Sequence, residues 1–299
     1  MPISQYPQIQ SFLDYLQFEK RYSQHTSSSY ETDLLQFFQF LESQYDGPIL
    51  SKISSTYVRS WLAEMRGENI SAKTLNRKIS SLKSFFKYQL KVGVIEASPM
   101  TTIVSPKVSK RLPTFISEKD MDILKHDVKF PDTWKGETDR LIISIFYNTG
   151  MRLSELVNLK NSQVDVSNSQ IKVLGKGNKE RIIPISKELT DLIAAYQMEK
   201  RKKIENGTLN LLVNEKGKPL YPKYVYNIVK ENLNLVTTQQ KKSPHVLRHT
   251  FATHLTNGGA DLNAVKDLLG HSSLAATQIY THNTIDKLKD IHKKAHPKA

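Results

Sequence analysis

Residues 71 to 91 read SAKTLNRKISSLKSFFKYQLK, and this stretch indicates how the first third of the chain folds. Its apolar residues recur every three or four positions, which predicts an amphipathic helix. The stretch also contains six basic residues and no acid. At about 100° per residue, five of the six fall within an arc of about 120°, beside the apolar arc. The apolar arc contains Leu75, Ile79, Leu82, Phe86 and Leu90, and the basic arc contains Lys73, Arg77, Lys83, Lys87 and Lys91.

This basic arc lies on the predicted helix over 71–91, which we call α4, and we call the arc the α4 stripe. It favours contact with a polyanion. A solvated helix face usually mixes both signs of charge, and this one does not. The whole chain carries a net charge of +14 and has a pI near 9.6. We therefore expect the stripe to meet phosphates, with simple solubility as the alternative.

Outward from the stripe, the chain divides into two parts. Residues 1–104 show helical spacing throughout, and 105–115 resemble an interdomain linker with two prolines and several basic residues. Residues 116–299 show both helical and strand-like patterns. In this second part, QVDV, IKVL and RIIPI are three short strand candidates among helices. The sequence predicts a mainly α protein with a helical first domain and a mostly helical second domain.

Composition excludes several classes of protein. The chain has no cysteine, which removes disulfide frameworks, thiolate metal sites and cysteine nucleophiles. The first residues lack the pattern of a signal peptide, and no apolar run approaches the roughly 20 residues of a membrane helix. We expect a soluble cytoplasmic protein without membrane contact.

Residues 245 to 255, HVLRHTFATHL, place candidate chemical groups on one helix. Ser243 and Pro244 predict its start. His245 and Arg248 are three residues apart and share a face. His245 and His249 could chelate a metal, but no Glu or Cys completes a ligand set and Arg248 would oppose a cation. Packing or capping is the expected role of the other histidines.

Four further residues each have an ordinary interpretation when taken alone. Arg152 follows the helix end at Gly150 and is either an anion ligand or a partner of Glu155. The others are a basic residue in a Gly-Lys-Gly turn, a histidine after a helix end and a tyrosine of core character: Lys176, His271 and Tyr280.

Together these residues suit phosphodiester chemistry. Two guanidiniums can bind the nonbridging oxygens, and histidines can add hydrogen bonds or move a proton. A lysine can protonate the leaving oxygen, and a tyrosine oxygen can attack phosphorus. Such a site requires neither a metal ion nor a nucleotide cofactor, and the P-loop pattern is absent.

The ordered motifs TGMRLSEL, GKGNKER, HVLRH and LGHSSLAATQIYTH resemble the tyrosine recombinase family, most of all the Xer recombinases that resolve chromosome dimers. The resemblance runs across nearly the whole chain. It implies that Arg152 and Arg248 bind the scissile phosphate, and that Tyr280 is the nucleophile. It also implies that Lys176, preferred over Lys179, is the general acid, and that the two active-site histidines are His245 and His271.

The resemblance further implies a C-shaped DNA clamp. Its parts are a SAM-like helical core-binding domain and a catalytic domain with a small antiparallel sheet. Bond energy is kept in a 3′-phosphotyrosyl link, so the reaction needs no ATP. Four protomers act on two double-stranded DNA sites. The tetramer consists of copies of this chain alone or of this chain with a paralogous recombinase. A DNA translocase of the FtsK type can activate relatives, and the segment 284–294 could pass to a neighbouring protomer.

Three alternatives stay open at this point. The same chemistry fits an integrase of a mobile element or a relaxing topoisomerase. A non-catalytic helix-turn-helix protein would explain the basic pI and the helices around Gly270. That last alternative leaves Arg152, Lys176 and Tyr280 without a role.

Overall fold

A computed structural model describes residues 6–108, 114–175, 180–204 and 208–270. The chain forms two compact units, Met1–Lys110 and Arg111–Ala299, which are described in turn. In the described ranges, no helix combines the length and the apolar character that crossing a membrane requires.

The first unit is a helical bundle around an aromatic core. Its helices are α1 (Pro7–Asp14, continued by a π-helical turn at Tyr15–Glu19), α2 (Gln24–Tyr45), α3 (Ser55–Gly67) and α4 (Ala72–Lys91), with a 3-10 turn at Leu50–Lys52. Phe12, Phe37, Phe85 and Phe86 are fully buried. Their edge-to-face packing holds the helices together, as in the pair formed by Phe12 and Phe85, whose ring centroids are 5.5 Å apart.

Helix α4 has the predicted phase except in its last turn. Leu75, Ile79, Leu82 and Phe86 are buried, as predicted. The expectation for Leu90 was wrong, because this residue is 37% exposed. Gln89 is buried instead, and its amide Nε2 donates to the carbonyl of Gln8 at 3.2 Å. The last turn of α4 thus meets the main chain of α1, where a hydrogen-bonding side chain is needed.

The second unit surrounds helix α6. Its elements are α5 (Glu118–His126), α6 (Trp134–Thr149), α7 (Leu153–Val157), a 3-10 turn (Asn161–Gln163), β1 (Val164–Asp165), β2 (Gln170–Leu174), β3 (Glu180–Pro184), α8 (Lys187–Lys203), α9 (Pro222–Val236), α10 (Pro244–Asn257) and α11 (Leu262–Leu269). The inner face of α6, with Ile142, Ile145 and Phe146, is fully buried. This helix therefore supplies the centre of the second core.

The three predicted strands form one antiparallel sheet in the order β1-β2-β3. Ile171 pairs with Ile183, and both side chains face the core. Side chains alternate between the two faces of a strand, so Arg181 shares the inward face with Ile183. Fold class was predicted correctly: a mainly helical protein with a small antiparallel sheet.

Candidate active site

Three of the candidate residues line one cavity of the second unit. Arg152, His245 and Arg248 border a space of about 560 Å³, together with Tyr226 and Ser243 among others. The remaining candidates, Lys176, His271 and Tyr280, lie outside the described residues, as does Lys179. The structure therefore brings together the residues predicted to bind phosphate.

The end of helix α6 sets the position of Arg152. Gly150 ends that helix with φ +56°, in the left-handed region. A Cβ atom built there would lie 2.4 Å from the ring of Phe251, so glycine also permits the close approach of α10. Met151 is buried, and Arg152 then becomes the N-cap residue of α7.

Arg152 makes one of the two contacts between which the sequence could not decide, the pair with Glu155. Its Nη1 donates to Oε1 of Glu155 at 2.8 Å, and its backbone N–H donates to Oε2 at 2.7 Å. Its Nη2 donates to the carbonyl of Gly270 at 3.0 Å. Its side chain is 35% exposed and borders the cavity. The pairing with Glu155 therefore coexists with access to a ligand.

Arg248 is a buried cation on helix α10. It is 4% exposed, and its Nη1 and Nη2 donate to the carbonyls of Gly150 and Leu269, both at 2.6 Å. These two carbonyls belong to the ends of α6 and α11. Helix ends present unsatisfied carbonyl oxygens and the negative end of the helix dipole, which favour a cation.

His245 lies in the first turn of α10 and borders the cavity. Its Nε2 lies 3.0 Å from Nε2 of His249, with the rings nearly perpendicular at 73°. One ring nitrogen must accept in such a contact, so at least one of the two imidazoles is neutral when it forms. His254 has the expected packing role, because it bonds to the carbonyl of Ile116 and to the hydroxyl of Tyr147.

The first turn of α10 forms as predicted. The hydroxyl of Ser243 accepts from the backbone N–H of Val246 at 3.4 Å, and Pro244 occupies the first helical position. This cap fixes the helix turn that places His245 in the cavity lining. Among residues with a described position, no group of three His, Cys, Asp or Glu side chains could hold a metal ion.

Two site residues were missed by the sequence analysis: Arg181 and Tyr226. Arg181 of β3 forms a two-pronged ion pair with Glu155, with Nη1 to Oε1 at 2.9 Å and Nη2 to Oε2 at 2.8 Å. The signal for Arg181 was a charged residue at an inward-facing strand position. Tyr226 lines the cavity from α9, and no local pattern marks it.

Glu155 is ionised in spite of its burial. Burial alone would raise the pKa of this carboxyl. Hydrogen bonds and charge from Arg181, with further hydrogen bonds from Arg152, outweigh burial and lower the pKa to about 2. The site therefore contains a fixed negative charge between two guanidiniums.

The α4 stripe of the first unit is exposed at all five positions. Arg77 contacts Asp33 and Ser29, and Lys91 lies 3.5 Å from Glu19. Within the described ranges, no acidic group lies within ion-pair distance of the other three members, which are Lys73, Lys83 and Lys87.

The sixth basic residue of α4, Lys78, lies outside the arc of the other five and turns inward. Its side chain is buried and bonds to Asp33 and Gln36. Lys78 is therefore part of the core of the first unit, and the outward basic face consists of the five stripe residues.

Comparison with known proteins identifies the family. Residues 115–287 match the phage integrase family, and residues 9–93 match the N-terminal SAM-like domain of phage integrases. The chain belongs to this family, the tyrosine recombinases, and its activity is that of a tyrosine-type site-specific recombinase.

Within that family, the chain is similar to tyrosine recombinase XerC. It is 35% identical to the protein of Chlorobaculum parvum, covering 97% of this chain and 94% of the relative. It is 39% identical to the protein of Listeria innocua, covering 96% and 97%. Among solved structures, XerH recombinase bound to a palindromic difH substrate matches with a TM-score of 0.74 and 26% identity, covering 89% of this chain and 78% of that one.

Proposed function

We propose that this protein cuts and rejoins DNA at a specific site, with Arg152 and Arg248 binding the scissile phosphate. The observation that carries the proposal is the convergence of Arg152, His245 and Arg248 on one cavity. Two guanidiniums and an imidazole supply donors for the nonbridging oxygens of a phosphodiester, where negative charge develops during attack.

The proposed reaction conserves the energy of the broken bond. The hydroxyl oxygen of Tyr280 attacks phosphorus, the bond from phosphorus to the 5′-oxygen breaks, and a 3′-phosphotyrosyl link forms. Lys176 gives a proton to the leaving 5′-oxygen. His245 and His271 donate hydrogen bonds to the phosphate, and one of them accepts the proton that the Tyr280 hydroxyl loses. A 5′-hydroxyl of the partner duplex then attacks the link, releases the tyrosine and restores a phosphodiester, so neither ATP nor a metal ion is consumed.

The α4 stripe supplies a second DNA contact in this proposal. Five exposed cations stand on one helix face, and three of them have no acidic partner in the part of the chain that the structure describes. Contacts of this kind bind the phosphate backbone without reading sequence. The stripe then contributes affinity, while the cavity of the second unit performs the chemistry.

We infer that the biological role is resolution of chromosome dimers. The chain resembles XerC proteins along nearly its whole length, and the structurally similar XerH was solved with a difH substrate. The proposed complex contains four protomers on two duplexes in the cytoplasm, with copies of this chain or a paralogous recombinase. A translocase of the FtsK type is the proposed activator.

A suicide substrate tests the reaction class directly. The probe is a duplex selected by binding to this protein from a random pool and then nicked beside the cleaved bond, so that the released fragment diffuses away. A protein–DNA band on a denaturing gel, formed in excess EDTA, is the expected result. A bound but uncleaved duplex would contradict the proposal and favour a non-catalytic DNA-binding protein.

A further inference from the structure

Three arginines hold the end of helix α11. Nε of Arg181 donates to the carbonyl of Leu268 at 2.8 Å. Nη2 of Arg248 donates to the next carbonyl, Leu269, at 2.6 Å, and Nη2 of Arg152 donates to the carbonyl after it, Gly270, at 3.0 Å. The last carbonyls of a helix have no partner within it and carry the negative end of its dipole. Each of these three oxygens therefore receives its own guanidinium.

Arg181 differs from the other two arginines because it does not line the cavity. Its side chain is only 10% exposed, against 35% for Arg152. Both arginines contact the same carboxylate, that of Glu155, which is 5% exposed. Arg181 is thus more deeply buried than Arg152 and shares its acidic partner.

The net charge of the Arg152, Glu155 and Arg181 side chains together depends on Arg181. A carboxylate paired with Arg152 alone would cancel the charge that a phosphate needs. A second guanidinium on the same carboxylate leaves one net positive charge on the three side chains. The two-pronged geometry of the Arg181 pair also fixes the carboxylate plane, which in turn fixes the Nη1 and backbone N–H of Arg152.

We propose that Arg181 is a positioning residue for the phosphate-binding arginine. Through Glu155 and the end of α11, it holds Arg152 in place and keeps the charge of Arg152 available to the phosphate. This inference rests on the proposed function, in which Arg152 binds the scissile phosphate. It assigns no contact between Arg181 and DNA.

A purely structural role for Arg181 makes a different prediction. Arg181 links β3 to α7 and to α11, so its loss could simply loosen the unit. Loosening would slow the reaction of any substrate equally. Loss of positive charge at the phosphate would instead slow only substrates whose phosphate is charged.

The test compares two nicked duplexes of the same selected sequence. One carries an ordinary phosphodiester at the cleaved position, and the other carries a methylphosphonate, in which a methyl group replaces one nonbridging oxygen. The methylphosphonate is neutral and requires less positive charge from the site. The measured quantity is the rate of covalent adduct formation at saturating protein, normalised to the parent protein on each substrate.

Arg181→Ala should slow adduct formation on the phosphodiester by at least about tenfold, less than the roughly 10²–10³ lost when a direct oxyanion donor is removed. Its deficit on the methylphosphonate should shrink to about threefold or less, and DNA affinity should stay close to that of the parent. Arg181→Lys keeps the charge but loses the two-pronged hydrogen bonds to Glu155. Its rate on the phosphodiester should therefore lie between the rates of the parent and of Arg181→Ala. Arg140→Ala, an exposed arginine of the same unit, is the matched control and should equal the parent.

The outcomes separate the two proposals. An active parent with parental rates in Arg181→Ala, or with equal deficits on both substrates, overturns the inference alone. A parent that forms no adduct overturns the proposed function and this inference with it. If Arg181→Ala does not fold, Arg181→Gln, which keeps a hydrogen-bond donor but not the charge, decides by the same comparison, because equal deficits in that variant also overturn the inference.

Discussion

Arg248 donates its Nη1 to the carbonyl oxygen of Gly150, 98 residues earlier in the chain, at 2.6 Å. The contact joins helix α10 to the end of α6, and the same guanidinium reaches the end of α11 through Leu269. A buried cation is stable only when its donors are satisfied. Packing of these three helices and assembly of the phosphate site are therefore coupled.

Replacement of Arg248 by lysine should reduce both stability and activity. Arg248→Lys keeps the charge but cannot satisfy both carbonyls in the same geometry, and an unsatisfied buried acceptor costs about 1–3 kcal/mol. Urea unfolding and the rate of adduct formation measure the two effects. The exposed Arg140→Lys serves as the control. Parental stability and rate in Arg248→Lys would show that the two buried hydrogen bonds of the Arg248 guanidinium are dispensable.

Tyr280→Phe should bind the selected duplex as the parent does, because only a hydroxyl is lost, and should form no covalent adduct. Gel shift and denaturing gel measure the two properties. Tyr226 is the alternative nucleophile that the experiment must exclude, because it lines the cavity. An adduct that persists in Tyr280→Phe and disappears in Tyr226→Phe would assign the nucleophile to Tyr226.

Loss of stripe lysines should change the salt dependence of DNA binding. Each lost phosphate contact lowers the slope of log K against log salt by about 0.9. Lys83→Gln with Lys87→Gln should therefore reduce the slope by about 1.8, equally on selected and random duplexes. The control pair, Lys187→Gln with Lys202→Gln, removes the same charge from lysines that pair with acids on α8. Equal slopes in the two double variants would show that the stripe lysines do not contact DNA phosphates.

Lys176 and Lys179 can be distinguished by the leaving group. Removal of the general acid should slow cleavage of the phosphodiester by roughly 10²–10⁴-fold. A 5′-phosphorothiolate, whose sulfur leaves without protonation, should restore the rate of Lys176→Ala. Recovery in Lys179→Ala and not in Lys176→Ala would assign the acid to Lys179.

Glu155 should stabilise the protein in a pH-dependent way. Its folded-state pKa of about 2 lies below the ordinary value of 4.5. A lowered pKa contributes stability above pH 4.5, and this contribution disappears as pH falls toward 2. The full shift corresponds to at most about 3 kcal/mol.

Urea unfolding of Glu155→Gln and the parent at pH 7, 5 and 3 tests this. The difference in unfolding free energy should be largest at pH 7 and clearly smaller at pH 3. Glu188→Gln is the control, because Glu188 is exposed and its ion pair with Lys125 spans 3.8 Å. A difference for Glu155→Gln that stays constant with pH would contradict the assigned pKa.

Local signals in the sequence predicted much of the fold. Ser243 acts as a helix cap where the sequence indicated it, and the three strands pair within a residue or two of their predicted limits. These features depend on neighbours within about four positions. Leu90 was misjudged because its environment depends on α1, more than 70 residues away in the chain.

The candidate site was predicted only in part. Arg152, His245 and Arg248 share a cavity as expected, but the link between Glu155 and Arg181 spans 26 residues and follows no periodic pattern. Periodicity indicates which strand face points inward. It does not indicate which carboxylate a buried guanidinium will meet there, because that depends on how α7 packs beside β3.

The two proposed phosphate-binding arginines each donate to the carbonyl of a glycine that ends a helix: Arg248 to Gly150 and Arg152 to Gly270. Both glycines have positive φ, +56° and +64°. Main-chain acceptors cannot be deleted by exchanging a side chain, so these contacts survive most point mutations around them. Their direction nevertheless depends on a backbone conformation that other residues rarely adopt. Substitution of either glycine should therefore disturb an arginine contact, although neither glycine has a functional group of its own.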